Sequence, residues 1–275
     1  MDATLFLSMS KRADGRSLAS SLRPLRSDQA LLNRADGSAC FAQGATCVLA
    51  AVYGPEQAFG GSTSITSSSS SNTGKLGMGM DTLEAARLGI VEVTYKPPGG
   101  GSSASGTSTR SKENQVILAR TLSQVITLSR YPQTAIRFTV QVLDDCGSAL
   151  ATAFNACSLA LVDAGVAQSG MVVAICVAVM PGGEILLDPS REEEASADAV
   201  MMTAWHSVSR EILACRTAGI MTRAEFKRCR MAAREAVSTV LAFMRMSFVQ
   251  KCRQQYDNPQ IVDISEYLSS LPIDE

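Results

Sequence analysis

Residues 136–165 read IRFTVQVLDDCGSALATAFNACSLALVDAG, and this stretch decides the fold. Apolar and polar side chains alternate over residues 136–142, which is the period-two pattern of a half-buried strand. An acidic turn follows at residues 144–148, and residues 149–164 are rich in small and apolar side chains, with one acid at Asp163. The stretch therefore predicts a strand, a Gly-Ser turn and a buried helix in succession.

The turn before this helix is a candidate anion site. Backbone N–H groups at a helix N-terminus have no partner within the helix, so an anion can accept hydrogen bonds from them. No Arg or Lys lies between Arg137 and Arg191, however, so this part of the chain supplies no cation. The sequence thus predicts a phosphate-binding turn that lacks a fixed positive charge.

Composition and charge indicate a globular protein without a global basic field. The chain has 275 residues, of which 46% are hydrophobic, and its formal net charge is -1. Any contact with nucleic acid must therefore come from a local patch or from the surface of a partner. The first residues hold too short an apolar stretch for a signal peptide, and no apolar run reaches membrane-spanning length. We expect a cytoplasmic or nuclear protein with no membrane contact.

The cysteines and the histidine argue against two common kinds of site. Eight cysteines are present, none in a Cys-x-x-Cys pair, and His206 is the single histidine. This pattern lacks the ligand spacing of a zinc site, so we expect reduced thiols in an intracellular protein. A Ser-His-Asp hydrolase is also disfavoured, because there is no Gly-x-Ser-x-Gly motif and His206 is expected to pack within a helix.

The chain is expected to form one domain over residues 11–252. Two Ser/Gly-rich stretches, at about 59–80 and 97–109, bury little and are predicted to be expanded loops rather than linkers. Residues 1–10 are expected to be an N-terminal extension, and residues 253–275 a loosely attached tail.

Periodicity predicts an α+β fold within this domain. Two capping boxes, at residues 190–193 and 222–225, predict helices that run to about Cys215 and about Gln250. The other expected elements are a hairpin over residues 38–53, a strand over 90–95, an amphipathic helix over 112–130, and buried strands over 171–180 and 184–187.

A second candidate site lies around residues 187–194. Asp188 ends a predicted strand and Glu194 falls in the first turn of the next helix, so the two carboxylates could converge. Paired carboxylates can bind a divalent metal or act as general acid and base. The alternative is that acids in a first helical turn only complement the helix dipole.

Basic residues near the second Ser/Gly-rich stretch are candidates for RNA contact. Arg110 and Lys112 open a predicted helix, where they could contact phosphates from the wall of a groove. The alternative is an ordinary solvated helix face, which is where charged side chains usually lie.

Three blocks of the sequence resemble the RNase PH-like subunits of the exosome. They are RADGR at residues 12–16, LRPLRSDQALLNRADGSACFAQGATCVLAAVYGP at 22–55, and VLDDCGSALATAFNACSLALVDAGV at 142–166. The resemblance covers roughly residues 12–248 without the two Ser/Gly-rich stretches. It implies an RNase PH-like fold, an α/β sandwich related to domain 2 of ribosomal protein S5.

The resemblance also implies roles for individual residues. Active members of this family degrade RNA from the 3′ end with phosphate as attacking group, and they hold the phosphate with a Gly-Thr-Arg loop. That loop corresponds here to Gly147, Ser148 and Ala149, so the arginine is absent. The family's two catalytic acids correspond to Asp188 and Glu194, the second of which is longer by one methylene.

Arg110 matches a basic residue near the family's active site. Arg120 lies further along the same predicted helix, and with Lys112 these residues form the predicted RNA-binding set.

The implied function is that of a core ring subunit with little or no phosphorolytic activity. Such a subunit would bind RNA and assemble with other RNase PH-like subunits in a six-membered ring that carries RNA-binding cap subunits. Its work would be 3′-to-5′ RNA processing and decay in the nucleus, nucleolus and cytoplasm.

Two other functions stay open at this point. One is an active 3′-to-5′ exoribonuclease, or a metal-dependent nuclease, that works as a homodimer through Asp188 and Glu194. It would need inorganic phosphate or Mg²⁺. The other is a protein-interaction scaffold that makes no contact with RNA.

Overall fold

The computed structural model describes residues 12, 14–57, 89–99 and 109–256. The predicted N-terminal extension, the first Ser/Gly-rich stretch and most of the second lie outside these residues, as does most of the predicted tail. No helix in the described part of the chain is long and apolar enough to cross a membrane.

The first half of the chain forms a five-stranded sheet in the order β1-β2-β3-β5-β4. All neighbours are antiparallel except β4 and β5, which are parallel. The predicted hairpin and the strand at the start of the quoted stretch are both confirmed. The strands are β1 (Leu25–Gln29), β2 (Gly37–Gln43), β3 (Thr46–Gln57), β4 (Ile90–Lys96) and β5 (Thr134–Asp144).

The second half forms a four-stranded antiparallel sheet in the order β7-β6-β8-β9. Strands β6 and β7 confirm the predicted buried strands over residues 171–180 and 184–187. The strands are β6 (Val172–Val179), β7 (Ile185–Leu187), β8 (Ala199–His206) and β9 (Ile212–Gly219).

Helices surround and separate the two sheets. In the part of the chain that the structure describes they are α1 (Thr109–Val125), α2 (Ala149–Asp163), α3 (Arg191–Ser196) and α4 (Arg223–Tyr256). The central helix α2 contacts β2 and β3 of one sheet and β6 of the other. Its small side chains, such as Ala153 and Ala156, are fully buried, which lets both sheets approach it closely. The predicted α+β fold and the buried helix are confirmed.

The predicted helix from Ser190 to about Cys215 is wrong beyond its first turns. The capping box forms as predicted, with the Ser190 side chain accepting from the Glu193 amide, but the helix ends at Ser196. The following residues form β8 and β9. Strand β8 pairs with a neighbour on each edge, and most of its side chains are buried on both faces. Such a strand has no period-two pattern, so periodicity cannot distinguish it from a buried helix.

His206 therefore ends a strand and does not lie within a helix, as was predicted. Its ring contacts the hydroxyl groups of Ser169 and Ser209.

Candidate active-site cleft

A cleft of about 800 Å³ opens where the two sheets, α1, α3 and the N-terminus of α2 meet. It contains both the predicted phosphate turn and part of the predicted acidic site. The polar and charged lining residues are Tyr95, Thr109, Arg110, Ser111, Glu113, Asn114, Asp145, Ser148, Arg191, Glu194 and Arg216.

The turn between β5 and α2 packs against the start of α3. Gly147 has a φ of +101°, and a Cβ at this position would lie 2.7 Å from backbone atoms of Pro189 and Arg191. Only glycine fits there, because other residues rarely adopt this φ and have no room for a side chain. Ser148 adopts the left-handed conformation, and its hydroxyl donates to the carbonyl of Pro189. The turn therefore packs tightly against the start of α3 and is held there by a hydrogen bond.

Two backbone N–H groups of this turn donate hydrogen bonds to carboxylates of the chain itself. The Ser148 N–H donates to Oε1 of Glu194 at 2.7 Å, and the Gly147 N–H donates to Oδ1 of Asp145 at 3.1 Å. A carboxylate is the kind of group that an anion-binding turn attracts. Two backbone amides of the turn are therefore paired with carboxylates of the chain itself, and the role of the turn as an anion site stays a prediction.

Ala149 is the first residue of α2 and lines the cleft beside this turn. Its methyl group supplies neither charge nor a hydrogen-bond donor to an anion in the cleft. The assignment of Gly147, Ser148 and Ala149 as a degenerate phosphate loop stays a prediction.

Arginines from three other elements bring positive charge to the cleft. Arg110 comes from α1, Arg191 from α3 and Arg216 from β9. The segment around the turn supplies no cation of its own, but arginines from other parts of the chain reach both the turn and the cleft. Sequence reasoning missed Arg216 because β9 was not predicted: the predicted helix ran to about Cys215, over the first half of this strand. It used Arg191 only as part of a capping box.

The three arginines differ in the number of hydrogen bonds that they make within the protein. Arg216 donates to Oδ1 of Asn114 at 2.6 Å and to Oε2 of Glu113 at 3.4 Å. Arg191 donates to the backbone carbonyl of Asp145 at 3.1 Å. Arg110 is exposed and has no hydrogen-bond or ion-pair partner within the described ranges. Arg110 is thus the cation most open to a ligand.

The two predicted catalytic acids lie in different environments. Glu194 lines the cleft, whereas Asp188 is fully buried and is not part of its lining. Both carboxylate oxygens of Asp188 accept from the Arg23 guanidinium, at 2.5 Å and 2.9 Å. Arg23 also donates to the carbonyls of Cys146 and Gly147. Asp188 therefore holds Arg23 in place, and Arg23 in turn stabilises the turn through the two carbonyls. A catalytic role for Asp188 and Glu194 stays a prediction.

This arrangement does not fit a divalent metal. The oxygens of Asp188 are held by a guanidinium, and only Glu194 of the two acids faces the cleft. Magnesium needs oxygen ligands around one point, which these two side chains do not offer as they lie. Among the described residues no group of three or more His, Cys, Asp and Glu side chains could hold a metal ion.

The pKa of Glu194 is raised. Burial is the main cause and the nearby Asp145 adds to it, while the Ser148 N–H and Arg110 act in the opposite direction. Burial also raises the pKa of Tyr95, another lining residue, to about 12, so its phenol stays protonated at neutral pH. The cleft therefore has one carboxyl that is reluctant to ionise and a neutral phenol.

The other two predicted RNA-binding residues lie outside the cleft. Lys112 and Arg120 are exposed on α1, and neither belongs to the lining. The buried side of this helix carries Leu118 and Leu122, which pack in the core. Of the predicted set, only Arg110 is at the cleft.

Comparison with known proteins places this architecture in a family. The models of the RNase PH 3′ exoribonuclease family match residues 21–167 for domain 1 and residues 170–236 for domain 2. The chain belongs to this RNase PH family of 3′ exoribonucleases. The resemblance and the RNase PH-like fold expected from the sequence are thereby confirmed.

Several relatives carry exosome names. The exosome complex exonuclease RRP46 homolog of Arabidopsis thaliana is 31% identical over 87% of this chain and 96% of that protein. The human exosome complex component MTR3 is 33% identical over 76% of this chain and 75% of that protein. Both are proteins to which this chain is similar along most of its length.

Solved structures agree with these sequence matches. The crystal structure of rice Rrp46 covers 86% of this chain and 99% of its own, with a TM-score of 0.71 and 32% identity. An Archaeoglobus fulgidus exosome with RNA bound to the active site superposes with a TM-score of 0.65, covering 87% of this chain and 93% of its own. Its identity is 18%, so it supports the fold alone.

Proposed function

We propose that this chain is a core ring subunit of an RNA exosome, which contributes RNA binding and assembly and has no phosphorolytic activity of its own. Relatives along most of its length are named as exosome components, and the fold is that of the RNase PH family. The observation that carries the proposal is the hydrogen bond from the Ser148 N–H to Glu194, next to the methyl group of Ala149.

This contact works against the binding of inorganic phosphate. To reach the turn, a phosphate must displace the Glu194 carboxyl group from the Ser148 amide, and when Glu194 is ionised the phosphate would then lie close to a like charge. Two unit charges 4 Å apart repel by about 4 kcal/mol at the effective dielectric constant of about 20 near a protein surface. An arginine fork that could offset this repulsion is absent at Ala149. Without bound phosphate, phosphorolysis has no attacking group.

RNA contact does not require that phosphate. An RNA strand brings its own phosphodiesters, each with one negative charge, to which Arg110 at the mouth of the cleft can donate. Lys112 and Arg120 contact RNA if the strand continues along the exposed face of α1. Under this proposal the assembled ring holds other RNase PH-like subunits and RNA-binding cap subunits.

The proposal also covers the place of action. A subunit of this kind acts in RNA processing and decay in the nucleus, nucleolus and cytoplasm. Imaging of a fluorescent fusion tests the location, and isolation of the native assembly with identification of its members tests the ring. A chain that purifies only as a homodimer would overturn the assembly part.

A phosphate-dependence assay tests the catalytic part. The purified chain is incubated with a single-stranded RNA in the presence and absence of inorganic phosphate, and released nucleoside diphosphate is measured. We expect none from the wild type. Ala149→Arg is expected to increase phosphate affinity in calorimetry, because it adds a guanidinium beside the turn. Ala195→Arg is the matched control, since Ala195 also lines the cleft but lies on α3.

Strict phosphate-dependent release of nucleoside diphosphate by the wild type would overturn the proposal. An equal gain of phosphate affinity in the two arginine variants would show that the position beside the turn has no special role.

A further inference from the structure

Two cysteine thiols are in contact on the hairpin formed by β2 and β3. The Sγ atoms of Cys40 and Cys47 lie 3.2 Å apart. In the strand register, Cys40 is opposite Leu49 and Cys47 is opposite Ala42, so the two thiols meet on a diagonal across the hairpin. The contact is thus made between neighbouring strands that the backbone ladder already holds together.

This pair lies on the face of the sheet that points away from the core. The neighbouring residues Phe41 and Val48 are fully buried in the core, and successive side chains of a strand point to opposite faces. Both thiols are partly exposed. Across the described residues, which include all eight cysteines, this is the one contact between two sulfur atoms.

We infer that Cys40 and Cys47 are a reversible oxidation site, at which a small-molecule disulfide converts the two thiols into an intramolecular disulfide. The sulfur atoms need to approach by only about 1 Å to reach the length of a disulfide, about 2.05 Å. Reagent access is available because the pair is not in the core.

The reaction proceeds in two exchange steps. The thiolate of one cysteine attacks the small-molecule disulfide, forms a mixed disulfide and releases one small-molecule thiol. The second cysteine then attacks the protein sulfur of the mixed disulfide and releases the other small-molecule thiol. The protein loses two electrons and two protons, and these reduce the reagent to two thiols.

The surroundings of Cys40 oppose the ionisation of its thiol. Burial raises the pKa of Cys40 to about 12, and the contact with Cys47 and the charge of Asp28 on β1 act in the same direction, whereas Arg26 opposes them. Cys40 therefore stays protonated at neutral pH and is a poor first nucleophile.

Oxidised glutathione, followed by rapid alkylation and peptide mapping, tests this site on the full chain. We expect the peptides of Cys40 and Cys47 to appear as a linked pair, with a mass two hydrogen atoms below the sum of the two thiol peptides, and a reducing agent to reverse the change. Cleavage after Phe41 separates the two cysteines into different peptides, so the bridge appears as a linked pair. Exposed Cys146 and Cys215 are expected to retain single glutathione adducts.

Single variants distinguish the bridge from general thiol oxidation. Cys40→Ser should trap a glutathione adduct on Cys47, whereas Cys146→Ser should leave the bridge unchanged. Serine is nearly the size of cysteine, and circular dichroism checks that each variant is folded. Persistent adducts on both Cys40 and Cys47 in the wild type, or a bridge from either to another cysteine, would overturn the inference.

Discussion

The guanidinium of Arg23 grips both carboxylate oxygens of Asp188, and its Nη2 lies 2.5 Å from Oδ1. Both side chains are almost completely buried, and the Arg23 backbone N–H donates to the same carboxylate. Further hydrogen bonds from Arg23 reach the carbonyls of Cys146 and Gly147. One ion pair therefore connects the segment before β1, the turn before α2 and the end of β7.

Loss of Arg23 should destabilise the protein strongly. Arg23→Ala is expected to lower the free energy of unfolding by about 3–5 kcal/mol, because the Asp188 carboxylate would stay buried without its partner. Chemical denaturation at neutral pH measures this change. Arg26→Ala is the control, since the Arg26 side chain is 76% exposed, and its exposed ion pair with Asp28 should contribute at most about 1 kcal/mol. Equal losses in the two variants would contradict the structural role of Arg23.

The Gly147→Ala variant should show how tightly the turn packs on α3. Gly147 and Gly182 have nearly the same φ, +101° and +104°, so alanine meets a similar backbone strain at both positions. A Cβ at Gly147 lies 2.7 Å from backbone atoms at the start of α3, whereas a Cβ at Gly182 has no neighbour within 4 Å. We expect Gly182→Ala to lower stability by about 1–2 kcal/mol from the strain alone.

Gly147→Ala should lower the free energy of unfolding clearly more than Gly182→Ala does. The same denaturation experiment measures both changes. The excess reports the displacement of α3 from the turn. If the two alanine variants lost the same stability, the close packing of this turn would not be an energetic feature of the protein.

The sequence predicted most of the fold because its strongest patterns are local. Alternation in β5, the Gly-Ser turn and the small residues of α2 each indicate their own structure. The failure at β8 has a physical cause. A strand that is buried on both faces shows no alternation of apolar and polar residues in its sequence. The capping box at Ser190 correctly indicated where the helix begins, but no residue pattern indicated that the helix ends at Ser196.

The candidate site was harder to predict than the fold, because it depends on contacts between distant parts of the chain. Arg23 and Asp188 are 165 positions apart, and no local pattern shows that they pair. Arg216 reaches the cleft from β9, a strand that the sequence did not predict. The turn itself was recognised, but its occupation by Glu194 follows only from the packing of α3.

The raised pKa of Glu194 predicts a specific dependence of stability on pH. The folded state binds this proton more tightly than the unfolded state, whose carboxyl titrates near the ordinary value of 4.5. The contribution to stability is therefore fully present below 4.5 and is lost as the pH rises through the raised folded value. Glu194→Gln keeps the oxygen that accepts from Ser148 but cannot ionise, so its advantage over the wild type should appear at neutral pH.

Unfolding free energies of Glu194→Gln and the wild type, measured from acidic to neutral pH, check this sign. The gap between them is expected to narrow as the pH falls towards 4.5. Glu192→Gln is the control, because Glu192 is exposed on the same helix. A gap of constant size over this range would exclude Glu194 as the titrating group.

Removal of Arg110 should weaken RNA binding more than removal of Arg120. Both arginines are exposed on α1, but Arg110 lines the cleft and Arg120 does not. For a single strand, each lost phosphate contact should reduce the slope of log affinity against log salt by about 0.7. Fluorescence anisotropy with a labelled single-stranded RNA, over a range of salt concentrations, measures affinity and slope together. Arg110→Ala is expected to lower both, whereas a larger effect of Arg120→Ala would place the RNA on the outer face of the helix instead of in the cleft.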